Sequence, residues 1–187
     1  MTRPRRIPRT MTWGLLAAWL VHDAEELVTM PRWLARARPR LEQRLPGIPD
    51  RIWRHLAPDQ THTAVAIGFM GCLIAAAAYD GDRTDGRSPL FQVVLAGFGA
   101  HAVPHLGSAV LTGGYTPGLV TAPTVVVPYA LWASRRLNRA GVEQAKVPAA
   151  AYALLPVTIG AAHLGARAVA ALRTRLQQRP VAAGVGS

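Results

Sequence analysis

Apolar residues gather along the chain in five blocks, at residues 11–30, 62–79, 90–112, 117–133 and 148–172, with polar and proline-rich stretches between them. Several blocks approach the roughly 20 residues that a helix needs to cross a hydrocarbon core about 30 Å thick. Ala and Gly are frequent within them, and such small residues let helices approach closely in lipid. The pattern predicts an all-α fold, a polytopic membrane helix bundle of about five transmembrane helices. Its rival is a soluble all-helical protein with buried Ala-rich helices, and dependence on detergent during extraction separates the two.

Prolines mark both kinks and boundaries. Pro104, Pro123, Pro128 and Pro156 fall inside the expected spans, where each removes a backbone donor and bends a helix. Pro117 and Pro148 stand where a first helical turn would begin, a place that tolerates proline. The longest connection, residues 31–61, interleaves seven arginines with Trp33, Leu34, Leu41, Leu45, Ile52, Trp53 and Leu56. It reads either as an amphipathic segment lying on anionic lipid head groups or as a solvated loop broken by prolines. With 187 residues, one integral membrane domain over residues 1–175 is expected, beginning with a basic tail and followed by a disordered tail at 176–187.

Charge changes the picture only through its placement. A net charge of +11 and a pI near 11.4 would suggest a nucleic-acid partner in a soluble protein. Here Arg flanks the apolar blocks, as it does in membrane proteins, so membrane lipids and not nucleic acid are the expected partners. The two orientations put ten or eleven Lys and Arg inside, too even a split for the positive-inside rule to choose; MTRPRRIPRT ahead of the first span favours a cytoplasmic N-terminus. The expected location is a multi-pass position in the bacterial cytoplasmic membrane. Cys72 is alone, which excludes an internal disulfide and a thiolate zinc cluster. No Walker loop or dinucleotide fingerprint occurs.

Ionisable residues inside two spans carry the candidate chemistry. LVHDAEELV in the first block holds His22, Asp23, Glu25 and Glu26. At about 100° per residue, Glu25 lies about 60° to one side of His22 and Glu26 about 40° to the other, so these three share a face that Asp23 leaves. An ionised group at the bilayer centre costs at least about 2.5–3.5 kcal/mol, so such groups are expected to share protons, bind a cation or line a hydrated cavity. In the third block GAHAVPHLGS sets His101 and His105 four residues apart, a spacing that lets two imidazoles converge on one metal, with Ser108 a turn further on. His163, in the fifth block, reads as a structural hydrogen-bonding histidine.

HDAEE fits the pattern His, two variable residues, Glu, Glu, and the chain resembles the HXXEE domain family of bacterial integral membrane proteins. The resemblance extends over His101, His105, Tyr115, Pro117 and Gly118, covering the first span through the fourth; it implies residues to test but no reaction. Glutamic intramembrane proteases of the CAAX-processing type follow paired glutamates with an arginine three residues later, which fails here because the first arginine after Glu26 is Arg32. The histidine boxes of membrane desaturases are absent beyond HAVPH. Sterol isomerases of the emopamil-binding type offer an analogy for proton shuttling in a five-span protein.

These residues lead to the expectation of a membrane-embedded enzyme, a metal-dependent hydrolase or a proton-shuttling isomerase, acting on a lipid-like or other hydrophobic small molecule. Glu25, Glu26 and His22 are the expected catalytic groups. His22, Glu25, Glu26, His101 and His105 are the expected metal ligands, with Ser108, Tyr115 and His163 in support. Imidazoles with a carboxylate suit zinc or non-haem iron better than magnesium. A proton- or cation-coupled transporter or channel is the alternative, and a structural membrane protein the third.

Overall fold

The polar punctuation between the apolar blocks becomes turns, and the blocks become helices. The computed structural model describes residues 6–44, 46, 47, 49, 52, 60–145 and 154–178. Its helices are α1 (Arg9–Arg44), α2 (Gln60–Arg83), α3 (Pro89–Thr112), α4 (Val127–Arg139) and α5 (Leu154–Gln177), with a π-helical turn, Ala122–Val126, leading into α4. No strand occurs among the described residues. Among the described residues two helices, α2 and α3, are long and apolar enough to cross a membrane; 24 residues each give about 36 Å of helix.

Three boundaries differ from the expected ones. Residues 31–44, part of the stretch anticipated as an amphipathic surface segment or a loop, are helical and continue α1, which carries Pro31 and Pro39 within it. Arg38 and Glu42, one turn apart, pair at 2.6 Å on this extension, an arrangement that supports a solvated helix. Most of 45–59 lies outside the described residues, as do residues 1–5 of the basic tail, Pro148 and residues 179–187; α5 runs through Gln177. The fourth block does not start its helix at Pro117, because residues 117–120 form a turn and helical structure begins at Thr121. Pro128 has no N–H for a bond to the carbonyl four residues back, and Val127 N–H reaches five residues back to Ala122 O, producing the π turn.

Helix directions follow from the contacts. Arg9 meets Asp82 at 3.2 Å, and farther in Trp19 covers Gly71, so α1 and α2 are antiparallel. The loop after α2 is closed by Ser88, whose hydroxyl accepts from Phe91 N–H as the N-cap of α3 and donates to Asp80. Thus α3 runs parallel to α1. From the α4 side, Thr121 meets His22 and the Tyr129 hydroxyl donates to Met11 O, which makes α4 antiparallel to α1.

Met11, Leu15 and Trp19 of α1 pack with Ile74, Phe91, Leu95, Phe98, Val126, Ala133 and Leu137 in the main core. Small residues set the helix spacing: an added Cβ at Gly14 would lie 2.9 Å from the Tyr129 ring and one at Gly81 2.5 Å from Phe91. Helix α5 packs against α2 through Ala66, Ala162 and Ala166. Many large apolar side chains face outward, among them Leu20, Val28, Val103, Val110, Leu111 and Leu164. Fewer than a quarter of the positions in the most apolar stretch of α2 or α3 are buried within the chain.

Candidate functional site

One turn of α1 separates His22 from Glu26, and one turn of α3 separates His101 from His105. Because the two helices are parallel neighbours, the two pairs meet face to face. His105 Nε2 lies 3.2 Å from Glu26 Oε1 and 3.0 Å from His101 Nε2. His22, fully buried, brings its Nε2 to 3.8 Å from the same Glu26 oxygen. The three imidazole rings stand nearly perpendicular to one another, with centroids 4.6–5.4 Å apart. One donor atom from each of the four residues falls within 4.8 Å of the others.

The loop from α3 to the π turn holds this cluster from behind. Gly113 ends α3 in the left-handed conformation, a frequent helix stop. Ser108 Oγ donates to His105 O at 2.9 Å and pairs with Thr116 Oγ1 at 3.0 Å. Thr116–Leu119 forms a turn, with Leu119 N–H donating to Thr116 O at 3.1 Å and Gly118 at φ +81°, the geometry that a type II turn with proline before glycine requires. This turn aims Pro117 O at His105 Nδ1, 2.8 Å away. It also presses Gly118 against the imidazoles, where a Cβ would lie 2.5 Å from His105 Nδ1 and 2.9 Å from His22 Cε1.

Glu25, adjacent to Glu26 but rotated about 100° around the helix, takes a different position. Its Oε1 accepts from the Tyr115 hydroxyl at 2.7 Å and Val120 N–H at 3.2 Å. Its Oε2 accepts from Thr121 N–H at 2.8 Å and Thr121 Oγ1 at 2.6 Å. Partial burial, reinforced by that bond to Glu25, raises the pKa of the Tyr115 hydroxyl above its ordinary value, which keeps it a donor. Thr121 gives its single hydroxyl hydrogen to Glu25, so toward His22 Nδ1, 2.7 Å away, it accepts. His22 therefore carries its proton on Nδ1. The same accounting applies to His105, since a carbonyl only accepts and Pro117 O faces its Nδ1. Both rings thus donate outward from Nδ1 and turn Nε2 toward Glu26.

A cavity of about 580 Å³ opens beside Glu26, His101 and His105, within the size range of small-molecule sites. Met30 and Trp33 of α1, Pro104 of α3 and Pro156 and Ile159 of α5 form its apolar walls, and Ser108, Thr112 and Thr116 also line it. Residues 13–133 match the family described as proteins of unknown function with an HXXEE motif. The chain belongs to the HXXEE family. No curated protein and no solved structure matches it. In this HXXEE protein the motif's His22 and Glu26 lie in the cluster, while Glu25 secures the loop behind it.

Of the residues singled out from sequence, His22, Glu26, His101 and His105 come together. Glu25 and Tyr115 meet each other beside them, and Ser108 packs under His105. His163 is placed elsewhere, pairing with His62 across α2 and α5 at 2.9 Å, their rings stacked. Asp23 joins neither group. Thr116, the Pro117 carbonyl, Gly118 and Thr121 were missed as site residues. Their signal was the proline–glycine pair of YTPG, which announces a turn without saying what it packs against.

Proposed function

We propose that this HXXEE protein is an integral membrane enzyme of about five spans, acting on a lipid-like or other hydrophobic molecule bound in the cavity between α1, α3 and α5. The observation that carries the reading is the opening of that cavity onto Glu26, His101 and His105. Apolar walls at Met30, Trp33 and Ile159 suit a hydrocarbon portion, and the His and Glu groups suit a polar reacting one. The apolar length of α2 and α3 and the outward-facing valines and leucines support a lipid surround, as patches of that kind on a water-soluble monomer are uncommon.

Glu26 is the acid/base group. Glu26 lines the cavity and its Oε1 lies 3.2 Å from His105 Nε2, so in the metal-free cluster a proton taken from a substrate or water has an imidazole to receive or return it. Glu25, with four donors already directed at it, positions the loop and is not the reacting carboxylate.

The test is incubation of the detergent-purified protein with a fractionated membrane lipid extract, with products followed by mass spectrometry. Turnover in the wild type that is lost in Glu26→Gln and kept in Gly114→Ala is the expected result. Potential-dependent proton or cation flux in proteoliposomes, abolished by Glu26→Gln and unaccompanied by any lipid conversion, would replace the enzyme with a transporter.

A further inference from the structure

The cluster of His22, Glu26, His101 and His105 is short of hydrogens. His22 and His105 spend their Nδ1 hydrogens outward, on Thr121 Oγ1 and Pro117 O, so in the neutral rings each Nε2 directs a lone pair inward. The carboxylate between them contributes another lone pair. His101, 3.0 Å from His105, can fill only one of these gaps with its own N–H. His22 Nε2 meets no hydrogen-bond donor of the chain although its ring is fully buried. Lone pairs that converge beside the buried His22 repel one another unless a proton or a cation stands among them.

We infer that these four residues form a binding site for a single late first-row divalent metal ion, of which zinc is the representative, held by three imidazoles and the Glu26 carboxylate. Bonds of about 2.0–2.1 Å place tetrahedral donors roughly 3.3–3.4 Å apart. Three of the six donor separations, 3.0, 3.2 and 3.8 Å, bracket that value and all lie within 4.8 Å, so side-chain rotations that draw the wider pairs inward complete the site. Three nitrogens and one carboxylate oxygen are a donor set for zinc or iron(II), not for magnesium or calcium.

Glu25 and Thr121 are positioning residues for this ion. By taking the Thr121 hydrogen, Glu25 makes Thr121 an acceptor for His22 Nδ1–H and so commits the opposite nitrogen to the metal. Outer groups of this kind are worth about 10–100-fold in metal affinity. The two glutamates of HDAEE thus divide the work, one as ligand and one as orienter. The site rests on the enzyme reading only by sharing its four residues, since an ion can be held with no turnover; with the ion bound, Glu26 and His105 Nε2 serve as ligands in place of the acid/base pair.

The test is equilibrium dialysis of the full detergent-purified chain against buffered zinc, with metal counted per chain and helicity checked by circular dichroism. About one zinc per chain is expected in the wild type and in His163→Ala, and none at the same free zinc in His105→Ala or Glu26→Gln. Thr121→Val and Glu25→Gln should bind about 10–100-fold more weakly while keeping wild-type helicity. Because His105→Ala can fail to fold, the Thr121→Val affinity decides independently. Substoichiometric zinc in folded wild type at micromolar free metal overturns the site, as does undiminished zinc in Glu26→Gln. Zinc binding without any lipid conversion leaves the metal site standing and removes the enzyme reading; lipid conversion by a folded wild type that takes up no stoichiometric zinc on dialysis does the reverse.

Discussion

Gly118 provides a direct measure of whether the turn after α3 really bears on the two imidazoles. Substitution by Ala has two separable effects. The residue sits at φ +81°, which costs a side chain roughly 1–2 kcal/mol, and the new methyl would stand 2.5 Å from His105 Nδ1, 2.7 Å from His105 Cε1 and 2.9 Å from His22 Cε1. Overpacking of that kind adds about 1–3 kcal/mol, for a total of about 2–5 kcal/mol. Two neighbouring glycines isolate the parts. Gly113 has φ +67° and open space around its Cβ position, so Gly113→Ala registers the backbone strain alone, roughly 1–2 kcal/mol. Gly114 has open space and no positive φ, so Gly114→Ala should stay within about 0.5 kcal/mol of wild type. The assay is the thermal midpoint in one detergent at one scan rate, where each kcal/mol moves Tm by about 2–4 °C in a chain of this size. Gly118→Ala should therefore lose about 4–20 °C and fall clearly below Gly113→Ala. Equal midpoints for those two variants would refute the packing of the turn on His22 and His105, and with it the orientation of both rings.

Other outcomes follow from the same structure. Gly81→Ala drives a methyl to 2.5 Å from the Phe91 ring whereas Gly68→Ala meets nothing within 4 Å; thermal melts should show the first destabilised by about 1–3 kcal/mol and the second unchanged or stabilised by up to about 1 kcal/mol. Ser88→Ala removes the N-cap of α3 and should lower stability by about 1 kcal/mol, readable as a Tm loss without any change in metal content. His163→Ala breaks the imidazole pair between α2 and α5 at a cost of about 0.5–1.5 kcal/mol; lipid conversion should persist, and its loss in a folded variant would bring this second pair into the site.

Some of this was determined by the sequence alone. Helical periodicity relates residues of one helix by angle, so His22 with Glu26, and His101 with His105, were bound to share a face wherever their helices went. The apolar blocks at 62–79 and 90–112 likewise coincide with α2 and α3, because length and composition act locally. The tertiary structure decided what lay between helices. It set α1 and α3 parallel and in register, which no intrahelical angle contains, and so turned two pairs into one cluster. It also separated the glutamates: a rotation of about 100° between adjacent residues is trivial on an isolated helix but here directs Glu26 to α3 and Glu25 to the loop before α4. His163, equally apolar in its surroundings, met His62 because α5 packs against α2. Thr121, Gly118 and the Pro117 carbonyl acquired their roles from a turn whose form YTPG announced and whose partners only packing supplied. Chain periodicity chose the faces, and the depth and rotation of neighbouring helices chose which faces touch.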